Sequence, residues 1–163
     1  MFRKKRVSAA PAAQPRVPEP PVSVAETQPE KLNGLTLAYI GDAVYELMAR
    51  ETILAREAGN VNQLHEKTVS FSNAAFQSYV SKALEPLLTE EEAAAFRRGR
   101  NARPGHVPKN KTQAQYHRAT GLEALFGYLY LTKQTARIAE LFGAVVKINE
   151  EYEHAKRTEE QNA

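Results

Sequence analysis

Asp42 is the single aspartate among nineteen acidic residues. It stands inside an otherwise apolar stretch, Leu37-Ala38-Tyr39-Ile40-Gly41-Asp42-Ala43-Val44-Tyr45-Glu46-Leu47. On a helix, residues four apart share a face, so Asp42 and Glu46 project together, with Ala38 and Tyr39 one turn before them. Two hard oxygen ligands on one patch suit Mg2+, which is usually held by one or two carboxylates and completed by water and a substrate phosphate oxygen. The alternative is an Asp42 hydrogen-bonded at a helix–helix contact. Glu123 is the second unusual carboxylate, set among Leu122, Ala124, Leu125 and Phe126. An unpaired charge in such surroundings is costly. A cation shared with Asp42 from another helix would relieve the cost; so would pairing with Arg118 or capping a nearby amide. Gly41 and Ala43 on one side, and Gly121, Ala124 and Gly127 on the other, are small enough to let two helix backbones approach closely.

A second constellation lies between Arg97 and Arg118. It holds Arg97, Arg98, Arg100, Arg103, Lys109, Lys111 and Arg118, with His106 and His117, and no acid. Gly99, Pro104, Gly105 and Pro108 interrupt helical continuation in its middle, which predicts a helix end followed by an exposed loop. Such a loop offers arginine forks and point charges to phosphates, and release of condensed counterions favours binding. The alternative is a solvated surface loop.

These groups need elements to hold them. A chain of 163 residues with 42% hydrophobic and 25% charged residues is of the size and composition of one globular domain. It has no cysteine, which excludes disulfides and thiolate metal sites and fits a reducing cytoplasm. No histidine pair has metal spacing beside a carboxylate, and there is neither a phosphate-cradling glycine loop nor a serine nucleophile elbow. No apolar run approaches a membrane span and no signal core opens the chain, so a cytoplasmic protein without a membrane partner is expected. The net charge of +3 does not by itself establish a nucleic-acid partner. Residues 1–31 carry Pro11, Pro15, Pro18, Pro20, Pro21 and Pro29 with Arg3, Lys4, Lys5 and Arg6, which predicts a disordered basic tail. From Leu32 onward apolar residues recur at three- and four-residue intervals, as in Leu37, Ile40, Val44, Leu47, Met48 or Phe76, Tyr79, Val80, Leu84. The body, residues 32–152, is therefore expected to be all-α. Asn60, Ser72 or Asn73, and Thr89 with Glu92 supply helix starts, and Pro86 follows a stop near Leu84. A long buried helix is expected over 113–131 and a last one over 135–152, followed by a charged tail at 153–163.

The stretch Tyr39-Ile40-Gly41-Asp42-Ala43-Val44-Tyr45-Glu46 resembles the signature helix of the ribonuclease III family, and Gly121-Leu122-Glu123-Ala124-Leu125-Phe126-Gly127 resembles its second acidic motif, in the same order and separation. Arg97-Arg98-Gly99-Arg100-Asn101-Ala102 is similar to a further motif of the short Mini-ribonuclease III branch, which has the catalytic domain alone. The likeness covers about Leu32 to Tyr152. It implies a helical-bundle endonuclease domain acting as a homodimer, and a Mg2+-dependent cut in double-stranded RNA that leaves 5′-phosphate and 3′-hydroxyl ends. It further implies a substrate in the precursor of large-subunit (23S) ribosomal RNA, with a presenting ribosomal protein left open. By position, Asp42 and Glu123 become the catalytic metal ligands and Glu46 an outer-shell group. Arg97, Arg98, Arg100, Arg103, Lys109 and Lys111 become the RNA-binding set. Leu35, Ala38 and Thr120 stand where full-length ribonuclease III has further acids, which bears on how many ions bind. Two other classes fit parts of the chain. A non-catalytic RNA-binding or ribosome-assembly module would keep the loop and lose nothing on change of Asp42. A helical adaptor would present an apolar stripe on the final helix.

Overall fold

The structure is a computed structural model that describes residues 27–163 except Pro108 and Lys111. The tail up to residue 26 and the proposed RNA ligand Lys111 thus lie outside the described residues. Those described form six helices: α1 (Gly34–Arg56), α2 (Val61–Ser72), α3 (Ala74–Leu84), α4 (Glu90–Arg100), α5 (Gln113–Leu131) and α6 (Thr135–Asn162). Short 3-10 turns occupy Pro29–Lys31 and Glu85–Leu87, and no strand occurs among the described residues. The helices start where short polar side chains can satisfy the first free amides. Asn33, Asn60, Asn73, Thr89 and Thr112 each accept a hydrogen bond from the backbone N–H three residues on. Asn60 with Gln63 and Thr89 with Glu92 close complete capping boxes.

Two boundaries differ from the sequence expectation. The final helix continues ten residues beyond Tyr152 to Asn162, because the charged segment is a run of good helix formers with no glycine or proline to stop it. Pro29–Lys31, assigned by composition to the tail, is a 3-10 turn held by the Arg98 guanidinium. Arg98 Nη1 donates to the carbonyls of Pro29, Glu30 and Leu32 at 3.0, 2.9 and 2.6 Å.

Helix α5 is central, buried almost without interruption from Ala119 to Leu129, with α1, α3 and α4 packed around it. Helix α6 contributes Ile138, Leu141, Phe142 and Val145 to the same core. Tyr45 packs edge-on against Phe126 and Phe142, with ring centroids 5.3 Å apart in each case, and its hydroxyl donates to the Phe71 carbonyl at 3.0 Å. The buried face of α1 is Gly34, Leu37, Ala38, Gly41, Tyr45, Ala49 and Ile53. Of the expected stripe Leu37, Ile40, Val44, Leu47 and Met48, Leu37 is buried as expected, while Ile40, Val44 and Met48 flank the face and Leu47 is exposed. Glycines are the reason. A Cβ on Gly41 would lie 1.6 Å from the Glu123 carbonyl oxygen and 2.6 Å from the Gly127 nitrogen, and one on Gly127 would lie 2.0 Å from the Leu37 carbonyl. Helices α1 and α5 therefore touch main chain to main chain.

One ion pair ties α4 to α6. Glu92, 2% exposed, accepts from Arg137 Nε at 2.9 Å and Nη2 at 3.0 Å, and from the Thr89 amide at 2.9 Å. Burial alone would push the Glu92 carboxyl up; the Arg137 hydrogen bonds, the Thr89 amide and the Arg137 charge outweigh it and hold the carboxyl below the usual range. Glu92→Gln is expected to cost about 1 to 3 kcal/mol, since Arg137 loses its buried partner and keeps only the more exposed Glu140 at 3.0 Å. A carboxyl lowered on folding contributes stability above its unfolded pKa, about 4.3, and loses it as pH falls through the folded value. Wild-type stability should therefore drop across that acid range more than that of Glu92→Gln. Equal pH profiles by thermal melting would exclude the pair as the cause.

Candidate active site

The two unusual carboxylates stand on either side of the α1–α5 contact. Asp42 follows Gly41 directly, and Glu123 supplies the carbonyl against which Gly41 packs. Asp42 is exposed and Glu123 half-buried, so one approaches from solvent and the other from the protein. The charge of Glu123 is also felt by Tyr45, one turn beyond Asp42. Burial raises the Tyr45 phenol far above its ordinary value, and the Glu123 carboxylate adds to the rise. Glu123 thus faces the turns of α1 that carry Asp42 and Tyr45. Arg118, the other partner considered for Glu123, donates Nε to Ser81 Oγ at 2.9 Å and has Nη2 3.0 Å from Glu85.

Glu46 accepts from its helical neighbour Arg50, Nε at 3.0 Å and Nη2 at 2.5 Å, so its charge is matched within α1. No group of three or more histidine and acidic side chains able to hold a metal occurs among the described residues. The donor set is a pair of carboxylates from two crossing helices, one open to water. That fits Mg2+, which keeps several waters and takes further oxygens from a phosphate, and does not fit a closed protein cage.

The arginines assigned to the basic loop divide by what they touch. Arg98 is turned onto the backbone carbonyls of residues 29–32. Arg100 lies 3.7 Å from Glu85 and over the Phe96 ring, which Arg118 also covers. Arg97, Arg103 and Lys109 are exposed, with Arg97 only loosely placed at 3.9 Å from Glu90. Charge counting had grouped them all, because the acceptors of Arg98 are main-chain atoms and Glu85 lies outside the acid-free stretch. It also passed over Tyr39, which is 80% exposed one turn before Asp42. Leu35, Leu47 and Leu54 are exposed on the same helix.

Residues 35–134 match the Ribonuclease III domain family. The chain is similar to the Mini-ribonuclease 3 of Clostridium tetani, 40% identical over 134 residues, covering 82% of this chain and 87% of that one. It is also similar to the Mini-ribonuclease 3 of Symbiobacterium thermophilum, 45% identical over 116 residues, covering 71% of this chain and 89% of that one. Among solved structures, Protein FN1578 of Fusobacterium nucleatum superposes with a TM-score of 0.65 at 32% identity, covering 72% of this chain and 93% of that one. None of the helices is long and apolar enough to cross a membrane among the described residues. With the two acidic motifs on the crossing helices inside the matched region, the chain belongs to the ribonuclease III family and is an endoribonuclease.

Proposed function

We propose that the chain is a Mg2+-dependent endoribonuclease that cuts double-stranded RNA as a homodimer, with the precursor of 23S ribosomal RNA as its substrate. The observation that carries this reading is the crossing at Gly41, which sets Asp42 and Glu123 on adjoining turns of α1 and α5. When bound there, a divalent cation supplies an activated water and neutralises charge on a phosphodiester. The protein's part is binding and orientation. Asp42 offers its oxygens from the solvent side and Glu123 from the protein side, and the main-chain contact between their helices holds the two in register. Exposed Arg97, Arg103 and Lys109 face the RNA backbone. An A-form duplex hides its base edges in a deep groove, so recognition rests on backbone shape and 2′-hydroxyls.

The test is cleavage of duplex and single-stranded RNA with Mg2+ or with chelator. Duplex-selective, Mg2+-dependent products with 5′-phosphate ends are expected, and the same RNA with added large-subunit ribosomal proteins tests for a presenter. Binding without cleavage would favour the non-catalytic module. The adaptor reading loses its basis in α6, whose apolar residues Ile138, Leu141, Phe142 and Val145 are buried in the core.

The dimer reading rests on the apolar face of α1. Leu35, Tyr39, Leu47 and Leu54 expose large side chains along the helix that carries Asp42, and a two-fold copy would cover them and set two carboxylate pairs across a duplex. Tyr39→Glu is expected to turn a dimer at micromolar concentration into a monomer and to cut double-strand cleavage by about tenfold or more. Sedimentation of the variant as a dimer would move the interface elsewhere.

A further inference from the structure

The basic loop, residues 101–112, leaves α4 at Arg100 and enters α5 at Gln113. Its two stems are not equally secured. On the α4 side, Gly99 is packed into α5: a Cβ there would lie 2.5 Å from Ala124 Cβ, 2.6 Å from the Thr120 carbonyl and 2.9 Å from Gly121 Cα. On the α5 side, the first buried residue is Ala119; Gln113 and Ala114 are exposed and residues 115–118 are only part-buried.

One side chain spans that gap. Arg118, with its side chain only 16% exposed, donates Nε to Ser81 Oγ at 2.9 Å, approaches Glu85 with Nη2 at 3.0 Å, and lies with its Cζ 5.4 Å from the Phe96 ring centroid. Arg100, the last residue of α4, reaches the same carboxylate at 3.7 Å and the same ring at 5.8 Å. The two ends of the loop therefore meet at one acid, Glu85, in the turn that follows α3. A carboxylate shared by two guanidiniums that also cover one aromatic ring fixes the directions of both.

We propose that Glu85, Arg100 and Arg118 form a brace that sets the loop in its RNA-contacting position, with Glu85 and Arg118 as positioning residues and neither as a phosphate ligand. The proposal rests on the reading of the loop as an RNA contact. It makes an unexpected statement about charge. Removing an acid beside a basic loop should, on charge alone, tighten RNA binding; removing the acid that holds the loop should weaken it.

The deciding variant is Glu85→Gln in the full chain, which keeps the shape of a side chain that is itself part-exposed. The brace predicts a rise in the KM for duplex RNA of about fivefold, the scale of one part-exposed ion pair. The maximal rate should stay within about twofold, because the carboxylate pair on α1 and α5 is untouched. Arg118→Ala should raise KM similarly, and the double variant should do no more than either alone. Arg118→Lys should fail to restore KM, since an ammonium cannot span Ser81 and Glu85 from above a ring, whereas for a phosphate ligand it would restore much of it. Thermal melting of each variant separates loss of fold from loss of position. If Glu85→Gln lowers KM or leaves it unchanged, or if Arg118→Lys restores it, the brace is wrong. A control variant with alanine at Arg97, Arg103 and Lys109 tests the loop itself. If the control keeps full affinity and salt dependence, the loop reading has failed; if the control weakens binding and Glu85→Gln does not, only the brace has.

Discussion

Asp42→Asn and Glu123→Gln should each reduce duplex cleavage by at least about a hundredfold while leaving the fold and RNA affinity near those of the parent, since each removes a charge proposed to hold the metal at almost constant volume. The two sites differ in exposure, and that separates their effects on stability. Asp42 is exposed, so its amide costs the fold little; Glu123 is half-buried beside Tyr45, and loss of its charge should also allow the Tyr45 phenol to ionise more readily. Because the carboxylates act as one unit, the double variant should be no worse than either single one. Single-turnover rates with the protein in excess over RNA, alongside a binding isotherm, provide the measurement. Wild-type cleavage by Asp42→Asn would reject the site, and equal loss of binding and rate would make it an RNA contact rather than a catalytic one.

Gly41→Ala should be nearly as damaging to activity, and for a different reason. The added Cβ would lie 1.6 Å from the Glu123 carbonyl oxygen, a main-chain atom in the middle of a buried helix that has nowhere to move. Helices α1 and α5 must separate, at a cost of about 1 to 3 kcal/mol or more for forced overpacking. The separation falls at the turns that carry Asp42 and Glu123, and a displacement of about an ångström is enough to cost about a hundredfold in rate. Gly143→Ala is the matched control: nothing lies within 4 Å of its Cβ, and in a helix interior alanine should stabilise by about 1 kcal/mol. Melting temperature and cleavage rate on both variants check the pair. A Gly41→Ala protein of normal stability and rate would mean that the crossing does not set the site.

Much of this architecture can be read from residue types. Asn60, Asn73 and Thr89 mark helix starts because an unsatisfied amide needs an oxygen within three residues, which is a local demand. From Ala119 onward helix α5 reads as buried because it is apolar on nearly every side and leaves little room for a wet face, whereas its polar first turns, residues 113–118, are exposed or part-buried. The packed face of α1 was harder, since counting large apolar residues points to Val44 and Leu47, whereas the close contact with α5 is made by the main chain at Leu37 and Gly41, and Gly34 packs against α4. A glycine at a crossing contributes by absence, and a periodicity of bulk cannot register it. Within the basic stretch the sign of the charge was legible and the partner was not. Arg118 meets Glu85 from thirty-three positions along the chain, a pairing that only tertiary packing creates.

The clamp made by Arg98 has a consequence for where the chain can vary. Its three acceptors belong to the backbone of Pro29, Glu30 and Leu32, so the anchorage reads the path of the chain and is blind to what it spells. Exchanging Glu30 for another residue leaves its carbonyl where it was, while excising one residue from 29–32 shifts every carbonyl out of reach. At Glu30 the segment is therefore tolerant of rewriting and along 29–32 intolerant of shortening, with Leu32, packed against the core, and Arg98 carrying the side-chain identity.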